Sequence, residues 1–300
     1  AGARAGRGRD RAAQALYHEP YHAALKAELA ALCADTGTRG TILIAPEGIN
    51  GTLAGPQDGV ATMVAHLDRR CGIGRGELKF SAAEDWPFAR TKVRIRPEII
   101  TMRAPEADPS RRVGTYVAPS DWNALIDDPE VLVLDTRNRY ETKVGGFAGA
   151  VDPAIDSFTD FKAYVETALD PAEHRKVAMF CTGGIRCEKA SAYMLSKGFE
   201  SVFHLKGGIL QYLEDVPQED SRWEGDCYVF DGRVAVGHGL ARTDWTACYG
   251  CGQPLSPEER ADPAFEEGVS CAHCIDRLTE EKAASLRERQ RQIMRETGRG

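Results

Sequence analysis

A chain of 300 residues with 42% hydrophobic and 28% charged residues has apolar content for more than one core, which excludes a single small module, extended disorder and a fibrous repeat. Its formal charge of -7, from 38 Lys+Arg against 45 Asp+Glu, argues against wholesale coating of nucleic acid or anionic membrane but allows a local basic patch. No apolar run approaches the roughly 20 residues that span a bilayer, so no membrane partner is expected.

The Arg-rich start, Ala1 to Arg9, leads into no apolar segment of a secretory signal, although its composition is compatible with a transit peptide. Leu16 to Cys33 carries Ala and Leu at helical spacing. Thr41-Ile42-Leu43-Ile44-Ala45 reads as a buried strand, turned at Pro46 to Gly51 into a second strand, Thr52-Leu53-Ala54. A helix over about Gly59 to Arg70, then strands at Glu77 to Phe80 and Lys92 to Ile95, complete a small α+β domain over residues 14–103. Arg90, Lys92, Arg94 and Arg96 alternate with Thr91, Val93 and Ile95. On a strand the cations would share one face and form a basic ribbon suited to phosphate contacts, or simply a solvated face. Trp86, Phe88 and Tyr116 are nearby aromatics that could stack on an unpaired base or pack against a neighbouring domain.

Beyond a Pro- and Gly-rich linker, Val131 to Leu134 and Val177 to Phe180 are short apolar runs separated by helical patterns, which predicts a mostly parallel sheet over residues 115–215. Ligands gather outside the carboxyl ends of such strands, where Asp135 and Cys181 stand. In Cys181-Thr182-Gly183-Gly184-Ile185-Arg186-Cys187 the glycines let the loop N–H groups curl inward. With Arg186 and a following helix that stops near Gly198, they would favour a thiolate at Cys181. The Cys-x4-Arg spacing is one residue shorter than the cysteine phosphatase loop, which disfavours phosphatase activity. Cys187 could resolve an oxidised Cys181 or simply pack.

Residues 216–300 hold a hairpin over Cys227 to Val236, two cysteine pairs and a charged helix from about Thr279 whose mixed signs favour a solvated surface over an RNA arm. Cys248-x-x-Cys251, nineteen intervening residues and Cys271-x-x-Cys274 match a four-thiolate structural zinc site. His273 is an available substitute ligand. Nine cysteines used this way fit a reducing cytoplasm better than a secreted disulfide framework.

Val133 to Arg137, Gly146 to Val151 and the Cys181 loop resemble a rhodanese domain, whose thiol carries a persulfide. The resemblance implies that Asp135, Arg137 and Glu141 are structural, with Arg137 and Glu141 as an ion pair. The chain departs from the pattern at Phe147, where many rhodaneses have histidine. Gly40 to Thr52, Cys181 to Ala190, Gly207-Gly208-Ile209-Leu210 and Arg233 to Leu240 further resemble the tRNA uridine hydroxylase family. That resemblance, over about residues 38 to 275, implies a multidomain α/β and α+β protein: an N-terminal ferredoxin/acylphosphatase-like domain, a central rhodanese domain and a C-terminal zinc-ribbon-like module. It also implies oxygen-dependent 5-hydroxylation of the wobble uridine in a tRNA anticodon stem-loop, requiring Cys181 and with dioxygen as co-substrate.

No organic cofactor is recognisable: there is no Gly-x-Gly-x-x-Gly fingerprint, and His66-Leu67-Asp68 sits on an expected helix where such side chains diverge. His204 and His238 have no assigned role. A sulfurtransferase acting through a Cys181 persulfide and a non-enzymatic RNA-binding adaptor are the alternatives.

Overall fold

The computed structural model describes residues 19–73, 78–80 and 86–297. Helix α1 (Glu19–Asp35) buries Leu25, Leu29 and Cys33, which recur every four residues on one face. The expected helical residues 16–18 lie outside the described chain. Strand β1 (Arg39–Ala45) turns Ile42 and Ile44 inward, pairs antiparallel with β2 (Gly48–Ala54) and parallel with β3 (Lys92–Ile95). Between them, α2 (Gln57–Cys71) begins after Pro56 and stops where Gly72, at φ 69, returns its N–H to Asp68 O at 2.8 Å. Met63 from this helix closes the first core.

Of the strand expected at Glu77 to Phe80, the described residues Leu78 to Phe80 form none. They have no strand pairing, Phe80 is 61% exposed, and Leu78 and Lys79 are both half-buried, so the alternation of apolar-in, polar-out is not kept. Glu77 lies outside the described residues.

Four parallel strands form the central sheet in the order β4 (Thr115–Val117), β8 (Ser201–Leu205), β7 (Lys176–Phe180) and β5 (Val131–Asp135). The short β6 (Gly145–Phe147) pairs instead with β9 (Trp223–Gly225). Helices α3 (Pro119–Ile126), α4 (Arg139–Thr142), α5 (Phe161–Ala168), α6 (Ile185–Ser196) and α7 (Gly208–Asp215) cover it. Side-chain alternation divides the apolar run of β7 between two cores. Val177, Met179 and the following Cys181 meet Tyr193 and Met194 of α6, whereas Ala178 and Phe180 meet Ile209 and Tyr212 of α7. Burying each large apolar side chain contributes about 1.5–3 kcal/mol, so both helices are held firmly around the loop that joins β7 to α6.

The last segment contains the hairpin β10 (Cys227–Tyr228) and β11 (Ala235–Val236), then β12 (Thr246–Ala247), β13 (Pro254–Leu255), α8 (Pro257–Arg260) and α9 (Glu280–Thr297). On α9, Arg287 pairs with Glu266 and Arg291 with Glu288, as a solvated mixed-charge helix should. No helix among the described residues is long and apolar enough to cross a membrane.

Candidate active site

Parallel pairing sets Asp135 beside Phe180, so the ends of β5 and β7 open at the same level. Cys181 leaves β7 with only 2% exposure. Gly184, at φ 93, turns the chain into α6 and its N–H donates to Cys181 Sγ at 3.1 Å. Burial opposes charge on Cys181. Hydrogen bonds from the Cys187 thiol and from backbone N–H groups of Cys187 and Gly184, with the positive charge of Arg186, outweigh it and lower the thiol to about 5. Cys187 is fully buried and shifts upward, first by desolvation and then by its hydrogen bond to Cys181. The pair therefore holds one proton, on Cys187, beside a Cys181 thiolate.

The loop is fastened from below by α7. Ile209 N–H donates to Cys181 O at 2.9 Å and Leu210 N–H to Thr182 O at 3.1 Å. Gly208, at φ 67, lies where an added Cβ would come within 2.5 Å of Cys181 O and 2.6 Å of Gly184 N.

The expected Arg137–Glu141 ion pair is replaced by two others. Arg137 folds back on Asp135, Nη2 to Oδ2 at 2.6 Å, and directs its remaining donors to the carbonyls of Glu141 and Gly145. This leaves the Glu141 carboxylate to clamp Arg186 through both oxygens, at 2.5 and 2.6 Å, and to accept from Thr182 Oγ1 at 3.3 Å. The difference arises because Glu141 points across the strand ends while Arg137 lies against the carboxylate two residues behind it. Arg186 thus acts on the sulfur by charge, with its fork geometry committed to Glu141.

Residues with no local sequence signal complete the surroundings. Lys79 Nζ is enclosed, lacks a hydrogen-bond partner among the described residues, and lies 3.1 Å from the position of a Cβ on Gly207. Burial pulls it below the ordinary lysine range, against the attraction of Cys181 and, further down, Glu214. Lys189, next to the loop on α6, is buried between domains with Nζ 2.8 Å from Glu47 Oε2, on Glu98, and 3.1 Å from Ile100 O. The β1–β2 turn is thereby docked onto α6, and Glu47 to Asn50 share a small cleft with Ile185, Glu188 and Lys189.

The basic ribbon is an edge strand. Arg90, Arg94 and Arg96 are exposed and Lys92 half-buried, while Val93 packs on the first core. Ile95, expected inward, is 42% exposed because β3 ends there at the rim of the sheet, with Arg96 N–H making the last bond to Ile44 O. Trp86 is 52% exposed beneath Arg39, and Phe88 is half-buried. Tyr116 donates to Glu188 at 2.8 Å and packs on His204. His204 itself is buried against Gly114 O, and burial lowers it to about 4, so it is a neutral packing residue.

The Sγ atoms of Cys248, Cys251, Cys271 and Cys274 all lie within 4.8 Å of one another, with pairs at 3.7 to 3.9 Å. Tetrahedral thiolates at about 2.3 Å from one metal stand roughly 3.8 Å apart, so the cluster can hold a metal ion. His273 is turned away to Glu259 at 2.7 Å and Lys143 at 3.0 Å.

Two family models match the chain, the UPF0176 acylphosphatase-like domain over residues 17–99 and the rhodanese-like domain over residues 118–215. A tRNA uridine(34) hydroxylase of Mesorhizobium japonicum is 54% identical across 92% of this chain and 90% of its own length. That of Deinococcus radiodurans is 57% identical across 91% and 90%. This chain belongs to the tRNA uridine(34) hydroxylase family. A solved rhodanese-like domain from Anabaena sp. covers 37% of this chain and 78% of its own, at 21% identity and a TM-score of 0.30. The rhodanese assignment rests on the family model and the parallel sheet rather than on that overlap.

Proposed function

We propose that this protein hydroxylates uridine 34 of tRNA at the base C5, with Cys181 as the catalytic thiolate and dioxygen as co-substrate. The observation that carries the reading is the Cys181 sulfur itself, buried at the strand ends and lowered to about 5, in a chain of this family. Thr182 to Arg186 form the cradle, and Asp135, Arg137 and Glu141 position it through the two buried ion pairs. Cys187 supplies a hydrogen bond that holds the thiolate, and its proposed second role is as the resolving thiol that attacks an oxidised Cys181 sulfur. Arg90, Lys92, Arg94 and Arg96 would take phosphates of the anticodon stem-loop, giving affinity without sequence reading. Zinc is the metal proposed for Cys248, Cys251, Cys271 and Cys274. Four thiolates leave no open position, so its contribution is to fix the module. Four of the nine cysteines gathered where one metal ion can be held fit a reducing, cytoplasmic setting better than a disulfide framework. Growth of cells expressing the gene under heavy-isotope dioxygen, with tRNA nucleosides read by mass spectrometry, tests the reading. One heavy oxygen in 5-hydroxyuridine is expected; label arriving from water instead would contradict it.

The short Cys-x4-Arg loop also favours a second reading, a sulfurtransferase whose loop N–H groups hold a single terminal sulfur on Cys181. A thiosulfate:cyanide assay on the purified chain separates the two, since turnover without any change in tRNA would support transfer.

A further inference from the structure

The tip of the β10–β11 hairpin keeps an aromatic ring in water beside the thiol loop. Phe230 is 62% exposed, and the Arg186 guanidinium lies 5.8 Å from its ring centroid. Tyr228 meets the ring edge-on at 5.1 Å and in turn meets Tyr140 at 5.3 Å, so the ring is braced from one side and open on the other. The tip is built to stay in place. Asp231 accepts from the Arg233 backbone N–H at 3.0 Å and from its guanidinium at 2.7 Å, and Gly232 N–H donates to Pro87 O at 3.2 Å. Val234 holds φ 65, a left-handed conformation that a β-branched residue rarely adopts. The covered side of the Phe230 ring serves Tyr228 and Arg186, while the exposed remainder adds nothing to folding stability.

We propose that Phe230 is the stacking platform for the pyrimidine base extruded from the tRNA anticodon loop, an inference that rests on the hydroxylase reading. Cys181 is 2% exposed, so a base must leave its own stack to approach it, and a flat uncharged ring at the rim replaces the lost stacking. The surroundings favour RNA over an apolar protein partner. The Pro87 tether sets the tip beside exposed Trp86 and a few residues before the cationic run of Arg90, Lys92, Arg94 and Arg96, so phosphates and base would be held on adjoining ground.

The test uses an anticodon stem-loop carrying fluorescent pyrrolocytosine at the wobble position, titrated with purified full-length chain as wild type, Phe230→Leu and Phe230→Tyr. Quenching on binding is expected for wild type and Phe230→Tyr. Phe230→Leu should lose the quenching and bind about 10- to 100-fold more weakly. Cys181 alkylation by iodoacetamide, run on the same three proteins without RNA, should proceed equally in all three. Undiminished quenching with Phe230→Leu would overturn the platform, as would alkylation falling in step with RNA binding, which would make the ring a structural prop. Nucleoside analysis in complemented cells separates the two readings. Quenching by a wild type that produces no hydroxyuridine supports the platform and contradicts the hydroxylase, whereas full hydroxylation by Phe230→Leu does the reverse.

Discussion

A cysteine enclosed by protein should resist ionisation, and Cys181 is lowered because its neighbours supply donors while Glu141 anchors the nearby positive charge. The depressed value has a measurable consequence. With the folded value at about 5 against roughly 8.5 for a free thiol, the linked stability is fully present above about pH 8.5 and is lost as pH falls through 5. Iodoacetamide should therefore alkylate Cys181 at a rate that stays level from neutral pH downward and halves near 5. Cys187→Ala removes one donor and should move that midpoint toward the ordinary thiol range; an unchanged midpoint would show that Cys187 plays no part. Glu141→Ala leaves Arg186 charged and buried without its partner, so urea unfolding should show stability lower by about 3–5 kcal/mol. The Cys181 loop and its arginine are legible in the sequence because they are contiguous. The choice of Arg137 for Asp135 over Glu141 is not, since residues two and four apart near a strand end are separated only by the local path of the backbone.

Among the elements, α7 does more for the loop than its place in the chain suggests. Gly208→Ala would set a methyl carbon against three backbone atoms of the loop at a left-handed φ, with no flexible side chain to yield. Stability lower by about 1–3 kcal/mol, with slower Cys181 alkylation, is expected in thermal unfolding and labelling run together. The parallel sheet is readable from two apolar runs because both faces are covered, and α2 from its Pro and Gly boundaries. The run at Glu77 to Phe80 has the alternation of a strand, yet Lys79 is drawn toward Gly207 in another domain, a proximity that no local period encodes. The four cysteines are legible for the opposite reason, since their spacing alone can close around one metal. Elemental analysis should find one zinc per chain, absent from Cys271→Ser together with the module's protection from proteolysis.

Across the whole molecule, three segments meet around the thiol loop: the β1–β2 turn through Lys189, the stretch at Lys79 through Gly207, and the Phe230 hairpin through Arg186. None of these junctions has a sequence signature, because each joins residues far apart in the chain. With a net charge of -7, the RNA contact proposed for the β3 edge must rest on a local patch rather than on the charge of the whole chain. Arg94→Ala with Arg96→Ala should weaken stem-loop binding and flatten the slope of log affinity against log salt by about 0.7–0.9 for each phosphate no longer neutralised, leaving Cys181 alkylation unchanged. The most direct measurement of the central claim is tRNA nucleoside mass spectrometry in cells lacking this gene and any parallel hydroxylation route. These cells would be complemented with wild type or Cys181→Ser at matched protein levels. We expect 5-hydroxyuridine derivatives to return with wild type alone; their return with Cys181→Ser would contradict a catalytic role for the thiolate.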